Sequence, residues 1–269
     1  MSIAPLISAL ALPKEALVEQ RVPKKLLLEQ GAPTAADKRQ IQDGIEEMTW
    51  VAALKPTNIG VPAFRDAVRE YLEIAVITVA LRPTAKPPRL IELIHRAIPY
   101  PLVLVTEHRD AANLSLAHKR WSQGEAGRVV IEDVRQVQLN PDTPSTEEAS
   151  FLASLAVSCL PARDLFALYG GLLERLAALE AARITGNFSP PESPERASAL
   201  RDGLDIHARL RRDLAILRAR ADKEKQLNRR VELNLEIKRL EAELMHHSRA
   251  CWRPSAGRRR SNNFRPRRF

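Results

Sequence analysis

The sequence is poor in the residues on which several common protein classes depend. Among 269 residues there are only 10 glycines and two cysteines, and aromatic residues make up 4%. Scarce glycine disfavours a loop-rich cofactor enzyme, and two cysteines are too few for a disulfide framework or a structural zinc site. No uninterrupted apolar run reaches the roughly 18 to 20 residues that span a bilayer. We therefore expect a cytoplasmic protein that has no membrane segment and binds no cofactor.

The excess positive charge is concentrated at the C-terminal end. Basic residues exceed acidic ones by nine, and residues 249–269 contain eight arginines and no acid. This segment thus carries eight of the nine net positive charges of the chain. We therefore predict that residues 248–269 form a disordered tail that packs no core. Such a tail binds nucleic acid through phosphate contacts or acts as a solubilising appendage, and both alternatives stay open.

Residues 1–140 have the mixed pattern of an α+β domain. Thr34 is a candidate helix N-cap, and β-branched residues make Tyr71 to Leu81 the clearest strand. Because several strands follow one another through short turns, we predict a mainly antiparallel sheet with flanking helices. The other predicted strands are 48–54, 102–107, 114–120 and 129–139, and the predicted helices are 34–45 and 89–97.

Residues 146–247 are predicted to form a helical hairpin or coiled-coil arm. Ser145 or Thr146 can cap the first helix. From 195 to 247 there is no proline, and leucines recur at spacings of four and three. This pattern predicts one continuous, coiled-coil-like helix of about 75 Å, with a phase slip near 223–230. Two shorter helices are predicted before it, at 151–160 and 162–184.

Residues able to carry out catalysis are scattered along the chain. The sequence contains no Gly-rich phosphate loop, no nucleophile elbow and no His or Cys pair at metal spacing. Glu73 and Lys119 are the remaining catalytic candidates, as the carboxylate and lysine of a metal-dependent nuclease, although no lysine stands two positions after Glu73. We interpret His95 and His207 as surface or half-buried residues and Cys159 as a core filler. The sequence favours a non-catalytic protein and predicts no metal site.

A dense run of basic residues lies within the predicted long helix. From Arg209 to Arg230, nine basic residues stand against three acidic ones. This excess suits contacts with DNA phosphates and equally suits the solvated flank of a coiled coil, with i,i+4 pairs such as Arg209 and Asp213. Aromatic residues that stack on bases are missing there, so we expect any binding to be independent of sequence. The candidate nucleic-acid-binding residues are Arg209, Arg211, Arg212, Arg218, Lys223, Lys225, Arg229, Arg230, Arg258, Arg259 and Arg260.

Several short motifs together resemble a known bacterial family. They are Leu12-Pro13-Lys14, Arg21-Val22-Pro23-Lys24-Lys25, Trp50, Leu54-Lys55-Pro56-Thr57-Asn58, Glu73-Ile74, Ala97-Ile98-Pro99-Tyr100-Pro101, His118-Lys119, Glu224-Lys225-Gln226-Leu227-Asn228 and Val231-Glu232-Leu233-Asn234. Over roughly residues 10 to 245, the chain is similar to a domain of unknown function, number forty-three ninety-one. The resemblance implies a gene beside helicase and DNA methyltransferase genes in restriction or phage-defence islands. It implies no catalytic residues.

The leading hypothesis is a non-catalytic accessory subunit of a bacterial DNA-directed anti-phage defence or restriction complex. Such a subunit docks on a larger helicase or methyltransferase-type partner, and its helical arm bridges to that partner or to DNA phosphates. One alternative is a metal-dependent nuclease subunit that uses Glu73 and Lys119. Another is a structural coiled-coil scaffold that forms a homo-oligomer through residues 195–247.

Overall fold

The chain divides after Pro191 into two units, Met1–Pro191 and Glu192–Phe269. The computed structural model describes residues 3–31, 33–109, 111–124, 129–140 and 142–250, with the side chains of 247–250 excepted. The helices of the first unit are α1 (Ala4–Ala9), α2 (Lys24–Gln30), α3 (Ala35–Gly44), α4 (Pro56–Ile59), α5 (Pro87–Ala97), α6 (Thr146–Ser154) and α7 (Leu165–Thr185). Its strands are β1 (Leu17–Arg21), β2 (Ile45–Leu54), β3 (Phe64–Arg65), β4 (Glu70–Tyr71), β5 (Ile74–Leu81), β6 (Leu102–His108), β7 (Ala111–Trp121) and β8 (Val129–Leu139).

Six of these strands form one sheet in the order β1-β2-β5-β6-β7-β8. Neighbouring strands are antiparallel except for β5 and β6, which run parallel with Val76 opposite Val103. A parallel pair needs a crossover connection, and α5 provides it. Strands β3 and β4 form a separate two-stranded ribbon. The prediction of an α+β fold, with a mainly antiparallel N-terminal sheet and a helical region after it, is confirmed.

Helix α5 shows how local signals in the sequence set the ends of an element. Pro87 and Pro88 occupy its first turn, where a missing N–H group leaves no hydrogen bond unmade. Pro99 follows shortly after its end, where proline cannot continue a helix. The buried residues between them form the apolar face that periodicity predicts: Leu90, Ile91, Leu93 and Ile94.

Each face of the sheet is covered by its own core. Along β6, Val103 and Val105 belong to one core and Leu102 and Leu104 to the other, because successive side chains of a strand point to opposite faces. The first core is completed by helices α1, α6 and α7, with Leu6, Phe151, Leu168 and Leu172 among its members. The second is completed by α2, α3 and α5, with Leu27, Ile41, Leu90 and Ile94 among its members.

Helix α7 is attached to the sheet by Tyr169. The fully buried hydroxyl of this side chain accepts the backbone N–H of Ala117 at 2.9 Å and donates to the carbonyl oxygen of Leu102 at 2.8 Å. Since Ala117 lies in β7 and Leu102 begins β6, one side chain connects the helix to two strands. Helices α6 and α7 thus belong to the unit that contains the sheet, whereas we expected residues 146–247 to form a separate arm after a domain of residues 1–140.

The second unit contains α8 (Pro194–Lys223) and α9 (Leu227–Ala250). The continuous helix that we predicted over residues 195–247 is therefore wrong: the chain turns at residues 224–226 and the two helices pack as a hairpin. At the turn, the Glu224 backbone is extended and its carboxylate accepts the N–H of Gln226 at 2.8 Å. Folding back covers an apolar face of each helix that a single extended helix leaves in water. The buried side chains of this hairpin core are Leu214, Leu217, Ala221 and Ile237.

Two local expectations also differ from the structure. The strand predicted from Tyr71 is interrupted at Leu72 and Glu73, so β4 ends at Tyr71 and β5 begins at Ile74. Cys159, which we interpreted as a core filler, is exposed. It is the last residue of a short 3₁₀ turn, Val157–Cys159, after the end of α6, and the residue that follows the turn, Leu160, is buried instead.

Among the described residues, no helix has both the length and the apolar character that a membrane span needs.

Candidate functional site

The predicted basic residues of the second unit lie along the second half of α8, in the turn of the hairpin and at the start of α9. Arg209, Arg211, Arg212 and Arg218 lie in α8, and Lys223 is its last residue. Lys225 lies in the turn itself, and Arg229 and Arg230 belong to the first turn of α9. All eight side chains are exposed. Arg258, Arg259 and Arg260, and the predicted disordered tail around them, lie outside the described residues.

Few of these basic side chains are neutralised by neighbouring acids. Arg209 faces Asp213 within α8 at 3.9 Å, and Arg218 pairs with Glu241 of α9 at 2.7 Å. The remaining basic side chains of the stretch form no ion pair with any described residue; they are Arg211, Arg212, Arg220, Lys223, Lys225, Arg229 and Arg230. Unpaired cations on an exposed helical turn are the arrangement that phosphate contacts require.

The two catalytic candidates are not joined to each other. The carboxylate of Glu73 pairs with Lys55 at 3.2 Å, and the amine of Lys119 donates to the backbone carbonyl of Ile98. No hydrogen bond or ion pair connects Glu73 with Lys119. The described residues contain no group of three or more His, Cys, Asp or Glu side chains placed to hold a metal ion.

The motif that contains Lys55 has a structural explanation. The side-chain oxygen of Asn58 accepts the N–H of Lys55 at 2.8 Å, and its amide group donates to the carbonyl of Ala53 at 2.9 Å. These bonds close the one-turn helix α4 onto the end of β2. Gly60 follows in the left-handed conformation, with φ of 68°, which glycine adopts without strain. The motif therefore shapes a tight turn and places Lys55 beside Glu73.

Lys119 is the most unusual ionisable group of the first unit. It lies on β7 with only 3% of its surface exposed. Burial disfavours the charged amine and lowers its pKa from 10.5 to about 7. Its amine has a backbone carbonyl as partner and forms no ion pair with a described carboxylate. Strongly shifted pKa values are frequent at functional sites, so the surroundings of Lys119 form a second candidate region.

His95 lies next to this region and is fully buried, although we expected a surface or half-buried residue. Its Nε2 atom is 3.1 Å from the hydroxyl oxygen of Ser115. Burial, together with the positive charge of Lys119, lowers the pKa of His95 to about 3, so the ring is neutral at physiological pH. His207 is buried as well, because it lies on the same side of α8 as Leu204 and Leu210.

The residue before Lys119 contributes to a different environment. The Nδ1 atom of His118 is 2.6 Å from the hydroxyl oxygen of Tyr71, and its ring lies 5.0 Å from that of Phe166. The Arg69 guanidinium lies over the same Phe166 ring at 5.1 Å. None of these contacts was predicted from the sequence. The only signal was the pair His118-Lys119 itself, because its neighbours come from distant parts of the chain.

Together these features define an α+β protein whose six-stranded sheet carries a buried lysine and whose helical hairpin ends in an exposed basic turn. The chain belongs to the family DUF4391, a domain of unknown function, whose family model matches residues 10–244. The match confirms the resemblance and extends from before the sheet to the second helix of the hairpin. No curated protein and no solved structure matches the chain.

Proposed function

We propose that this protein is a non-catalytic accessory subunit of a bacterial DNA-directed defence or restriction complex, working in the cytoplasm beside a helicase or methyltransferase-type partner. In this role the hairpin of α8 and α9 holds duplex DNA by its phosphates. One observation carries the DNA contact: seven exposed basic side chains between Arg211 and Arg230 have no acidic partner among the described residues. The setting and the partner come from the family resemblance.

The composition of the turn indicates the mode of binding. Basic side chains that contact phosphates release condensed counterions, so affinity falls steeply as salt is added. The stretch from Arg209 to Arg230 contains no aromatic residue to stack on bases. We therefore propose binding that depends on the number of phosphates and not on the base sequence.

Salt titration with a matched pair of variants tests the DNA contact. Arg229→Gln/Arg230→Gln removes two charges at the turn, and Lys238→Gln/Arg239→Gln removes two exposed charges farther along α9. Fluorescence anisotropy with a labelled duplex is measured at several salt concentrations. The first variant is expected to lower the slope of log affinity against log salt by about 2, since each phosphate contact contributes about 0.9. The control variant is expected to retain most of the slope.

Equal losses in the two variants, or absence of binding by the unaltered protein at about 50 mM salt, would remove the DNA contact from the proposal. A third variant, in which Arg258, Arg259 and Arg260 become glutamine, measures how much of the affinity for DNA depends on the tail. An affinity that depends on those three residues alone assigns DNA binding to the tail and contradicts a role for the hairpin.

A coiled-coil scaffold is the second candidate function, and one observation favours it. Helix α9 covers Leu233, Ile237, Leu240 and Leu244 against α8, yet it has a second apolar row on the other side. Three large side chains at successive turns of this row are exposed, by 65% at Leu227, 51% at Val231 and 55% at Leu235. Exposed apolar rows of this kind are typical of protein interfaces.

A second copy of the chain fits this open face of α9. The exposed apolar side chains of α9 are complementary to the same face of a second copy, which can cover them in a two-fold pair. Sedimentation is expected to detect a dimer that is weakened by Val231→Gln/Leu235→Gln and retained by the control Ile206→Gln/Ile216→Gln, which alters exposed apolar residues of α8. A monomer at all concentrations contradicts the scaffold.

A further inference from the structure

Lys119 forms part of the wall of a cavity in the first unit. The cavity has a volume of about 220 Å³ and lies where β7 ends and the connection from α5 to β6 begins. The segments that meet there are distant in sequence. They contribute Arg69, Glu70, Leu72, Pro99, Tyr100, Pro101, Lys119, Arg120, Trp121 and Val129.

The positive charge of Lys119 lacks a counter-ion within the described protein. Its amine can donate three hydrogen bonds, and among the described residues it donates to the carbonyl of Ile98 alone. That carbonyl belongs to the residue immediately before Pro99 of the cavity wall. Buried charges in proteins are normally paired, because an unpaired charge is costly to remove from water. An anion bound in the cavity would provide the missing partner.

Two arginines strengthen the positive character of the cavity. Arg69 lies 3.3 Å from Glu132, and Arg120 lies 3.9 Å from the same carboxylate oxygen. One carboxylate thus serves two guanidinium groups, while Glu70 of the wall is paired with Arg65 outside it at 2.7 Å. With Lys119, the wall presents more positive than negative charge. Clefts lined by charge of one sign concentrate ligands of the opposite sign.

The rest of the wall is apolar and aromatic. Leu72 and Tyr100 are 52% and 49% exposed at the mouth, and Tyr100 lies at a bend between Pro99 and Pro101. Trp121 provides a second aromatic surface. Predominantly apolar walls with a few convergent polar groups are typical of sites for small organic ligands.

We propose that this cavity binds a small organic anion, an apolar or aromatic molecule with a carboxylate or phosphate group, and that Lys119 is its counter-ion. The apolar part of the ligand contacts Tyr100 and Trp121, and its charged group lies at Lys119. Arg69 and Arg120 attract the ligand to the entrance. This site is in the first unit and does not depend on the function proposed for the hairpin.

The amine of Lys119 gives the site a chemical signature. Because burial lowers its pKa to about 7, a large share of this amine is neutral near pH 7, whereas ordinary lysines are almost fully protonated. A neutral amine adds to an aldehyde carbon, and loss of one water gives an imine. Borohydride then delivers hydride to the imine carbon and the nitrogen gains a proton, which leaves a stable secondary amine.

Pyridoxal 5′-phosphate is a suitable probe, since it combines a phosphate group, an aromatic ring and an aldehyde. The 269-residue protein is incubated with limiting probe near neutral pH and reduced with borohydride, and the labelled lysines are identified by peptide mass spectrometry. Lys119 is expected to react severalfold faster than the exposed lysines Lys14, Lys25 and Lys38. Benzoate and inorganic phosphate are expected to slow labelling of Lys119 and to leave the three exposed lysines unchanged.

Variants at the mouth link the labelling to the cavity without altering Lys119. Arg120→Gln and Tyr100→Ala change side chains that are 36% and 49% exposed, so neither removes a core residue. Both are expected to slow labelling of Lys119 severalfold, whereas the exposed control Arg39→Gln leaves it unchanged. The proposal is overturned if Lys119 stays unlabelled while the exposed lysines react. It is equally overturned if neither competitor nor mouth variant affects the rate at Lys119.

Discussion

The guanidinium of Arg89 binds the carboxylate of Asp37 through two parallel hydrogen bonds, from Nε at 2.9 Å and from Nη2 at 3.0 Å. Asp37 lies in the first turn of α3, and Arg89 lies near the start of α5. The hydroxyl of Thr34 donates a third hydrogen bond to the same carboxylate at 2.7 Å. A bidentate arginine pair is directional as well as attractive, so these bonds fix how the two helices meet beneath the sheet.

Acid is expected to weaken this junction. The hydrogen bonds from Arg89 and Thr34 hold the pKa of Asp37 below its usual range. A carboxyl with a depressed pKa in the folded state contributes stability above the unfolded pKa of about 4, and the contribution is lost as the pH falls below it. Asp37→Asn is expected to lower the melting temperature at pH 7 and to differ less from the unaltered protein as the pH approaches 3. A thermal series over this range checks the trend, with the exposed Asp43→Asn as control.

Lys119 is expected to affect stability in the opposite pH range. Its pKa is about 7 in the folded protein and 10.5 when exposed, so between these values the unfolded chain binds more protons. The free energy of unfolding therefore rises with pH across this window, by at most about 1.4 kcal/mol per pH unit from this group. Lys119→Met is expected to lack that rise. Urea unfolding of both proteins at pH 7, 8 and 9 measures the difference, and parallel curves would contradict burial of the amine.

Alanine substitutions at two adjacent glycines of α7 are expected to change the stability of the protein in opposite directions. A Cβ atom added at Gly170 meets nothing within 4 Å, whereas one at Gly171 lies 2.5 Å from Cδ of Pro161. Gly170→Ala should stabilise the protein by about 0.5 to 1 kcal/mol, because alanine loses less backbone entropy in a helix. Gly171→Ala should destabilise it, because proline cannot move aside without shifting its backbone. Chemical denaturation of the two variants gives the sign of each change, and equal effects would contradict the packing of α7 against Pro161.

Removal of the Tyr169 hydroxyl alone is expected to lower the free energy of unfolding. Tyr169→Phe leaves the N–H of Ala117 and the carbonyl of Leu102 without their buried partner, which typically costs about 1 to 3 kcal/mol. The exposed Tyr100→Phe serves as the control and should stay within about 0.5 kcal/mol. Urea unfolding compares the two, and a cost no larger than that of the control would show that water replaces the hydroxyl.

Elements with strong local signals were predictable from the sequence. Ser145 caps α6 by accepting the N–H of Glu148 at 3.2 Å, and the prolines before α5 stand in its first turn. These interactions join residues that are close in sequence, so a short pattern reveals them. Strand β1 gave no such signal, because as an edge strand it is mostly exposed and shows no alternation of apolar and polar residues.

The hairpin turn and the buried lysine were harder to predict because they depend on contacts between distant segments. Leucine spacing is the same in α8 and α9, so periodicity alone does not distinguish one long helix from two that fold back. The phase slip in the apolar spacing near residues 223–230 was the feature of the sequence that indicated the turn. The burial of Lys119 requires the segment after α5 to lie beside the end of β7, a pairing that no sequence pattern specifies.

His118 and Lys119 are neighbours on β7, yet the imidazole joins the aromatic cluster of Tyr71 and Phe166, whereas the Lys119 amine is buried and donates to the carbonyl of Ile98. A strand that gained or lost one residue before this pair would exchange the two side chains. A cation would then enter the aromatic cluster, and an imidazole ring would take the buried position of the Lys119 amine, so neither environment would survive. The length of β7 is therefore under tighter constraint than its composition, and insertions in related proteins should be found beyond the ends of this strand.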